Sequence, residues 1–523
     1  MLATTTKGGM VKVGIISVFT DYHRCGRHHR GILQPQIGPL IAALLPEDAD
    51  IHVINDTWED PDWRRDYDLL FLSCLHSDFD RARQISHFWR RRGAKTVLGG
   101  IVASAYPDLC ARYFDALVVG DPESTVPALY ADFRRNRLQP LYVAGPYDPA
   151  STPAPRYDLA LAKQVLPIGV EATRGCPFTC DFCALTGIGT RHLVRPSHAV
   201  IRDILAGRRA LGRLAAWHKR NVVIFYDNNL GGNFTYLRRL CDALAPLGIY
   251  WGACATFNVL RDDNLLEHLS RAGCRALFVG LESFNPAAIR DMGKHQNLLR
   301  EVRQSIGRCH EHGMLLFAGL MLSPRVDDLA YIASIGRRLR ESGLHVPAYV
   351  SFETPFPGTP HFHRLAREAE PAFMPNALLR DFNGYTLVTR PLHCAPEAFV
   401  GAYRELMRTV FAPAARLRKM LHDAAQFLPR GQLMPLLYDL VELASESPYI
   451  APGRSLLAGT DLPHPEYGRI PFHGSDFSSE EERKDVLSPT RVTDALGRVL
   501  PQWHASRRIT AIKPRRPAAV ELA

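Results

Sequence analysis

Glu171-Ala-Thr-Arg-Gly-Cys-Pro-Phe-Thr-Cys-Asp-Phe-Cys183 is the stretch on which the reading of the whole chain turns. It sets Cys176, Cys180 and Cys183 in a C-x3-C-x2-C array. The apolar run from Leu166 to Ala172, followed by Thr-Arg-Gly, predicts a strand that runs into a loop. Thiolates this close cannot all pair as disulfides. On a loop they can ligate three irons of a 4Fe–4S cluster. One iron is then left without a protein thiolate, open to another ligand. A structural zinc knuckle is the competing reading. Zinc takes four ligands, commonly as two spaced pairs, and Cys241 and Cys254 stand alone.

Downstream, short apolar runs alternate with amphipathic ones. Strands are expected at Asn221 to Tyr226, Tyr250 to Thr256, Ala276 to Gly280, Met314 to Leu322 and Ala348 to Phe352, with helices between them. Counting the cluster strand, this predicts a partial (β/α)6 barrel, an opened relative of the TIM barrel. Ser197 is an expected N-cap, and Gly248 and Gly313 are expected helix stops. Upstream, strands at Val11 to Val18, Ile51 to Ile54, Leu69 to Ser73, Thr96 to Leu98 and Ala116 to Val119 alternate with helices. That pattern predicts a doubly wound parallel sheet, whose ligands bind outside the carboxyl ends of the strands. Ser124 or Thr125 is expected to cap a helix over Val126 to Arg134. The proline-rich run Tyr147 to Arg156 reads as a linker. The division is then an N-terminal Rossmann-like domain over 1–146, a linker over 147–164, the barrel over 165–375 and a mostly helical region over 376–523 with a basic tail.

Motifs fall at the strand ends. Arg174-Gly-Cys-Pro-Phe-x-Cys-x-Phe-Cys183, Phe225-Tyr-Asp-Asn-Asn229, Gly280-Leu-Glu-Ser283 and Thr354-Pro-Phe-Pro-Gly-Thr-Pro360 together resemble the radical S-adenosylmethionine (SAM) enzymes that carry an N-terminal cobalamin-binding domain. The resemblance covers roughly residues 10–400. It implies a 4Fe–4S cluster on the three cysteines, with SAM chelated at the open iron. It also implies that Asp227 and Asn228 approach the SAM amine, that Glu282 accepts hydrogen bonds from the ribose hydroxyls, and that Phe182 packs over the cluster or the adenine. At the first domain's strand ends, Asp21-x-His23-x-x-Gly26, Ser73-x-Leu75 and Gly99-Gly100 resemble the cobalamin site of methionine synthase and its relatives. There the histidine ligates cobalt, and the serine and glycines make room for the nucleotide tail. The motif differs in one respect. Arg27 to Leu33 separate it from the helix, and the entry Gln34-Pro-Gln-Ile-Gly-Pro39 resembles the cobalamin domains of radical SAM enzymes, most of which lack the ligating histidine. His23 is therefore either a cobalt ligand or a bystander.

The resemblance implies that one electron from the reduced cluster cleaves SAM, and that a 5′-deoxyadenosyl radical takes hydrogen from carbon or phosphorus. With cobalamin present, methylation of a natural-product or lipid-like small molecule follows, with flavodoxin or ferredoxin as electron donor. The alternatives are transfer of the 3-amino-3-carboxypropyl group of SAM, a cyclisation or rearrangement, and a non-catalytic Fe–S redox sensor.

Composition narrows the rest. The chain has 523 residues, 46% hydrophobic and 22% charged, within the range of an ordinary globular protein. No apolar run approaches the roughly 18 residues that span a bilayer, and residues 1–9 lack a signal core, so a cytoplasmic location is expected. The net charge of +10 is spread in short clusters without interleaved aromatics, which argues against nucleic acid. The 11 cysteines exclude a paired disulfide framework, and those outside the array read as core fillers. Toward the C-terminus, Pro396 to Met420 is expected to be one helix and Gln432 to Leu443 another. His393, Cys394 and Tyr385 are expected mainly to pack. The resemblance implies that the C-terminal helices cover the active site.

Overall fold

The computed structural model describes residues 10–20, 35–160, 166–189, 191–297, 299–444, 456–459 and 470–492. Asp21, His23 and Gly26 lie outside them, as does the basic tail. The first sheet contains β1 (Lys12–Ser17), β2 (Asp50–Asn55), β3 (Leu69–Ser73), β4 (Lys95–Gly99), β5 (Ala116–Val119) and β6 (Leu141–Val143). Its order is β2-β1-β3-β4-β5-β6, and every pair is parallel. A parallel sheet is covered on both faces, so its strands read as continuous apolar runs. In β3, Leu69 and Phe71 enter one core cluster and Leu70 and Leu72 the other. The chain order reverses at β1, which pairs with both β2 and β3. The crevice outside β1 and β3 is thus the switch point where such sheets bind ligands.

The second sheet contains β7 (Ile168–Val170), β8 (Val222–Phe225), β9 (Tyr250–Ala255), β10 (Cys274–Glu282), β11 (Leu315–Leu322) and β12 (Tyr349–Phe352). These six strands are parallel and paired in sequence order, forming an open half-barrel. Alternate side chains of β11 (Leu316, Ala318, Leu320 and Leu322) join the large core beneath the outer helices. The doubly wound N-terminal sheet and the partial barrel match the architecture expected from the sequence.

Several boundaries differ. The helix after β5 runs Pro122–Arg134 and takes Asp121, not Ser124 or Thr125, at its N-cap position. Pro122 suits the first helical position because it has no N–H to satisfy. Thr125 lies one turn inside, and its hydroxyl donates back to the Asp121 carbonyl. Likewise Ser197 begins its helix and Pro196 precedes it. The short helices Ile101–Ala105 and Pro107–Cys110 and the edge strand β6 carry little periodicity and were not expected. The expected helix Pro396 to Met420 is two helices, Pro396–Val410 and Pro413–Phe427. Pro413 forces Ala412 into an extended conformation and breaks the run.

The hairpin of helices Pro413–Phe427 and Met434–Ala444 does not cover the mouth of the barrel. It touches the opposite end. Lys419 Nζ lies 5.7 Å from the Phe317 ring centroid, and a Cβ at Gly313, just before β11, would meet the Gln432 side chain. The segment beyond Phe382 lies at the mouth instead, against the carboxyl ends of β11 and β12. Phe352 N–H donates to the Gly384 carbonyl at 2.7 Å and Leu392 N–H to that of Pro324 at 3.1 Å. Among the described residues no helix is long and apolar enough to cross a membrane.

Candidate active site

The cluster loop leaves the end of β7 and forms a two-residue antiparallel ribbon, Thr173–Arg174 against Leu193–Val194. Gly175 follows with φ +83°, and a Cβ there would lie 2.1 Å from the Arg191 carbonyl oxygen. Only glycine fits that turn. Cys176, Cys180 and Cys183 are free thiols, with Cys180 the most buried. Burial pushes the Cys180 thiol up, while Gln296 and Lys294 pull it back. Two amides point at the sulfurs. Asn229 Nδ2 donates to Cys176 Sγ at 3.5 Å and Gln296 Nε2 to Cys180 Sγ at 3.6 Å. Three thiols with amide donors suit a cluster, whose sulfurs take such hydrogen bonds. Neither Asn229 nor Gln296 was singled out from sequence. Asn229 was within reach, as the last residue of the quoted Phe225–Asn229 motif. Gln296 lies in a loop without any pattern.

Asp227, at the end of β8, is engaged by the backbone that enters the cluster loop. Its Oδ2 accepts from Ala172 N–H at 3.1 Å, and its Oδ1 accepts from Thr173 N–H. The carboxylate is fully buried and spent on the backbone that enters the cluster loop. Burial pushes its pKa up to about 7, against the pull of those amides. Asp227 therefore shapes the loop. Asn228 beside it is exposed.

Glu282 closes β10 with φ +66°, in the left-handed region that a residue with a Cβ seldom adopts. The register of β10 against β11 shifts between Gly280 and Glu282, which turns the carboxylate inward. Its Oε1 is ion-paired to Lys294 Nζ, and both side chains are buried. Its Oε2 is buried without a hydrogen-bond partner. A strained, buried carboxylate with one orphan acceptor marks a ligand site. Gly280 makes room for the pair, because a Cβ there would lie 2.1 Å from Glu282 Oε1. Phe182 packs beside Met292 and Met321, with Lys294 Nζ 5.9 Å from its ring centroid.

Across from the mouth, Ser73 ends β3 and Gly99 ends β4. Gly100 has φ +93°, and a Cβ there would come 3.1 Å from Ser73 Oγ. Leu75 is 61% exposed although apolar. Asp56 and Asp78 hold the chain as it leaves β1, accepting from Phe19 N–H at 3.1 Å and Thr20 N–H at 2.8 Å. His76 is buried and its ring sits 5.5 Å from that of Phe356, in the loop after β12. Arg174 bridges the same gap. It donates to Asp121 Oδ1 at 2.8 Å and Glu123 Oε1 at 3.0 Å, on the helix entry after β5. The carboxyl edges of the two sheets are thus joined.

A family model described as the radical SAM superfamily matches residues 170–332. Bacteriochlorophyllide d C-8(2)-methyltransferase of Chlorobaculum tepidum is 25% identical over 62% of this chain and 74% of its own length. Hopanoid C-2 methylase of Rhodopseudomonas palustris is 24% identical over 75% of this chain and 74% of its own. Among solved structures, the radical SAM methyltransferase TsrM from Kitasatospora setae, with cobalamin and a [4Fe-4S] cluster bound, has a TM-score of 0.57 at 15% identity. That match covers 83% of this chain and 99% of TsrM. The cobalamin-dependent SAM radical enzyme OxsB, with aqua-cobalamin and SAM bound, has a TM-score of 0.58 at 12% identity, covering 95% of this chain and 81% of OxsB. The stretch matched by the family model begins where β7 ends and holds both the thiol triad and Glu282, and from this we conclude that the chain carries a radical SAM superfamily domain within a fold like that of the cobalamin-dependent radical SAM methyltransferases.

Proposed function

We propose that this enzyme is a cobalamin-dependent radical SAM methylase acting on an apolar small molecule of natural-product or lipid type. The observation that carries the reading is the junction of the two sheets. Arg174 stands two residues before Cys176 and is clamped by Asp121 and Glu123 of the N-terminal domain. Methyl transfer to a substrate radical needs both cofactors at one substrate. The names of the relatives, which include methylases of a tetrapyrrole and of a hopanoid, support the choice of reaction and the class of substrate.

On this reading Cys176, Cys180 and Cys183 hold the cluster. Glu282, steadied by Lys294, offers its free oxygen to the ribose diol of SAM. Asp227 holds the cluster loop by its amides, and Asn229 and Gln296 donate toward the sulfurs. Ser73, Gly99 and Gly100 leave space for the nucleotide tail of cobalamin, and Leu75 presents an apolar side chain to it. Bound together, the cluster and SAM supply a hydrogen-abstracting radical, and cobalamin supplies the methyl group. The segment beyond Phe382 keeps water from the mouth. A cytoplasmic flavodoxin or ferredoxin delivers the electron.

The test is product analysis with anaerobically reconstituted enzyme, a reduced flavodoxin and SAM, with and without cobalamin. One 5′-deoxyadenosine and one S-adenosylhomocysteine per methylated product are expected, together with cobalamin bands in the visible spectrum. Full activity without cobalamin would overturn the proposal. Methylthioadenosine would instead indicate transfer of the 3-amino-3-carboxypropyl group, and intact SAM a redox sensor.

A further inference from the structure

A second cluster of ligating side chains sits at the far end of the barrel. His310 lies in the last turn of the helix before β11, and His345 lies in the turn before β12. His422 and Asp423 are on the helix Pro413–Phe427. Ligand atoms of His310, His422 and Asp423 all lie within 4.8 Å of one another. The His345 ring centroid is 4.5 Å from that of His422, and His310's is 6.1 Å from it. His345 Nδ1 is buried without a hydrogen-bond partner. His310 and Asp423 are buried, at 7% and 3% exposure. The imidazoles line one hollow with Arg303, Arg340 and Gln426.

We propose that His310, His422 and Asp423, with His345 as the fourth ligand, form a structural site for a zinc-class divalent ion that pins the C-terminal helical hairpin to the barrel floor. Three imidazoles and one carboxylate are a donor set that zinc accepts. Tetrahedral ligation at about 2.0 Å puts ligand atoms about 3.3 Å apart. His310, His422 and Asp423 start within 4.8 Å of one another, and His345, outside that group, would have to turn its unpartnered Nδ1 in from beside the His422 ring. Lys419 holds Asp423 Oδ2 at 2.9 Å and also pairs with Asp439, so the second oxygen of Asp423 is the one offered to the ion. The cations facing the site are Lys419, Arg303, Arg340, Arg418 and Arg430, against the carboxylates of Asp423, Asp439 and Glu341. With one carboxylate among four donors, the set does not suit magnesium or calcium, which need several carboxylate oxygens. The ion would tie together three segments, and binding to the folded state alone stabilises it.

The probe is Co2+, with Zn2+ as competitor, on the full chain carrying Cys176→Ala, Cys180→Ala and Cys183→Ala, which removes the cluster thiols as rival ligands. One Co2+ per chain is expected, with the visible bands of four-coordinate nitrogen and oxygen ligation and no thiolate charge-transfer band. Zn2+ should displace it and raise the thermal midpoint by about 3 °C or more. His422→Ala and, separately, His345→Ala should each weaken binding about 10-fold or more and abolish that rise, while the metal-free midpoint and circular dichroism report that both variants fold. Binding below one equivalent, a thiolate band, or a midpoint rise that survives both substitutions would overturn the site.

Discussion

Arg174 stands two residues before the first cluster cysteine, yet its Nη2 donates to Glu123 Oε1 of the other domain at 3.0 Å. Nη1 reaches Asp121 at 2.8 Å, and the guanidinium lies 4.0 Å from the Tyr147 ring centroid. The side chain is 18% exposed and that of Glu123 is 6% exposed, so solvent screens the pair only in part. Arg174→Ala should destabilise the protein by about 2 kcal/mol, less than a fully buried pair would. Methylation should fall at least 10-fold, because the two cofactor edges lose a shared clamp. Arg174→Lys should not restore either property, since an ammonium lacks the fork. Chemical denaturation and turnover of the reconstituted variants measure both effects.

Glu282 and Lys294 should respond asymmetrically. Lys294→Met leaves a buried carboxylate without its partner and should cost about 3–5 kcal/mol. Glu282→Gln keeps the shape and removes the charge. It should weaken SAM binding about 10- to 100-fold, the loss of one charge-assisted hydrogen bond. Iron content should be unchanged in Glu282→Gln. Isothermal titration with SAM and cluster quantification separate the two effects, and equal SAM affinity in Glu282→Gln would remove Glu282 from the site.

Asn229 Nδ2 should tune the cluster. A hydrogen bond to a ligating sulfur favours the more negative, reduced state. Asn229→Leu should therefore shift the cluster potential negative by on the order of 40 mV, equivalent to about 1 kcal/mol for one electron. SAM cleavage should slow while iron content holds. Redox titration followed by electron paramagnetic resonance checks the sign.

Glu353 and His361 give a pH dependence. Both are fully buried, with His361 Nδ1 3.2 Å from Glu353 Oε1. Burial pushes Glu353 up to about 8 and His361 down to about 4, so both are neutral near pH 7. A carboxyl raised in the folded state binds its proton there after the unfolded chain has released it. Its contribution to stability is full below the ordinary glutamate value of 4.5 and is lost as pH rises toward 8. Glu353→Gln should flatten this fall. The variant should gain stability relative to the native protein between pH 5 and pH 8.5, as read by urea denaturation at the two pH values.

Gly100 should matter for cobalamin. A side chain there is strained by φ +93° and crowds Ser73 Oγ. Gly100→Val should lower the cobalamin retained after gel filtration at least 10-fold while iron content holds. Retention at native levels would place the cobalamin tail elsewhere.

The strand order of both domains was legible in sequence because parallel strands are covered on both faces and announce themselves as uninterrupted apolar runs. The cluster ligands were legible for a related reason. They lie within eight residues of one another on one loop, Cys176 to Cys183, so their spacing narrows the chemistry to a cluster or a zinc site and the motifs at the strand ends favour the cluster. The glycines at the strand ends were visible for the same local reason.

Contacts between distant segments were not legible. Asp227 looks like a ligand-facing acid in sequence, and only the packed loop shows its oxygens taken by the amides of Ala172 and Thr173. Lys294 lies 12 residues from Glu282 in an irregular turn, and Glu123 lies 51 residues from Arg174. The C-terminal hairpin could be recognised as helical, but helical periodicity says which face is buried and nothing about which surface buries it. The sequence by itself determined the cofactor-bearing loop and the two parallel sheets, because both are written in local spacing and periodicity. Which acid faces the ligand, what joins the domains and which end of the barrel the helices close were decided by the tertiary structure, because those depend on burial and pairing between residues far apart in the chain.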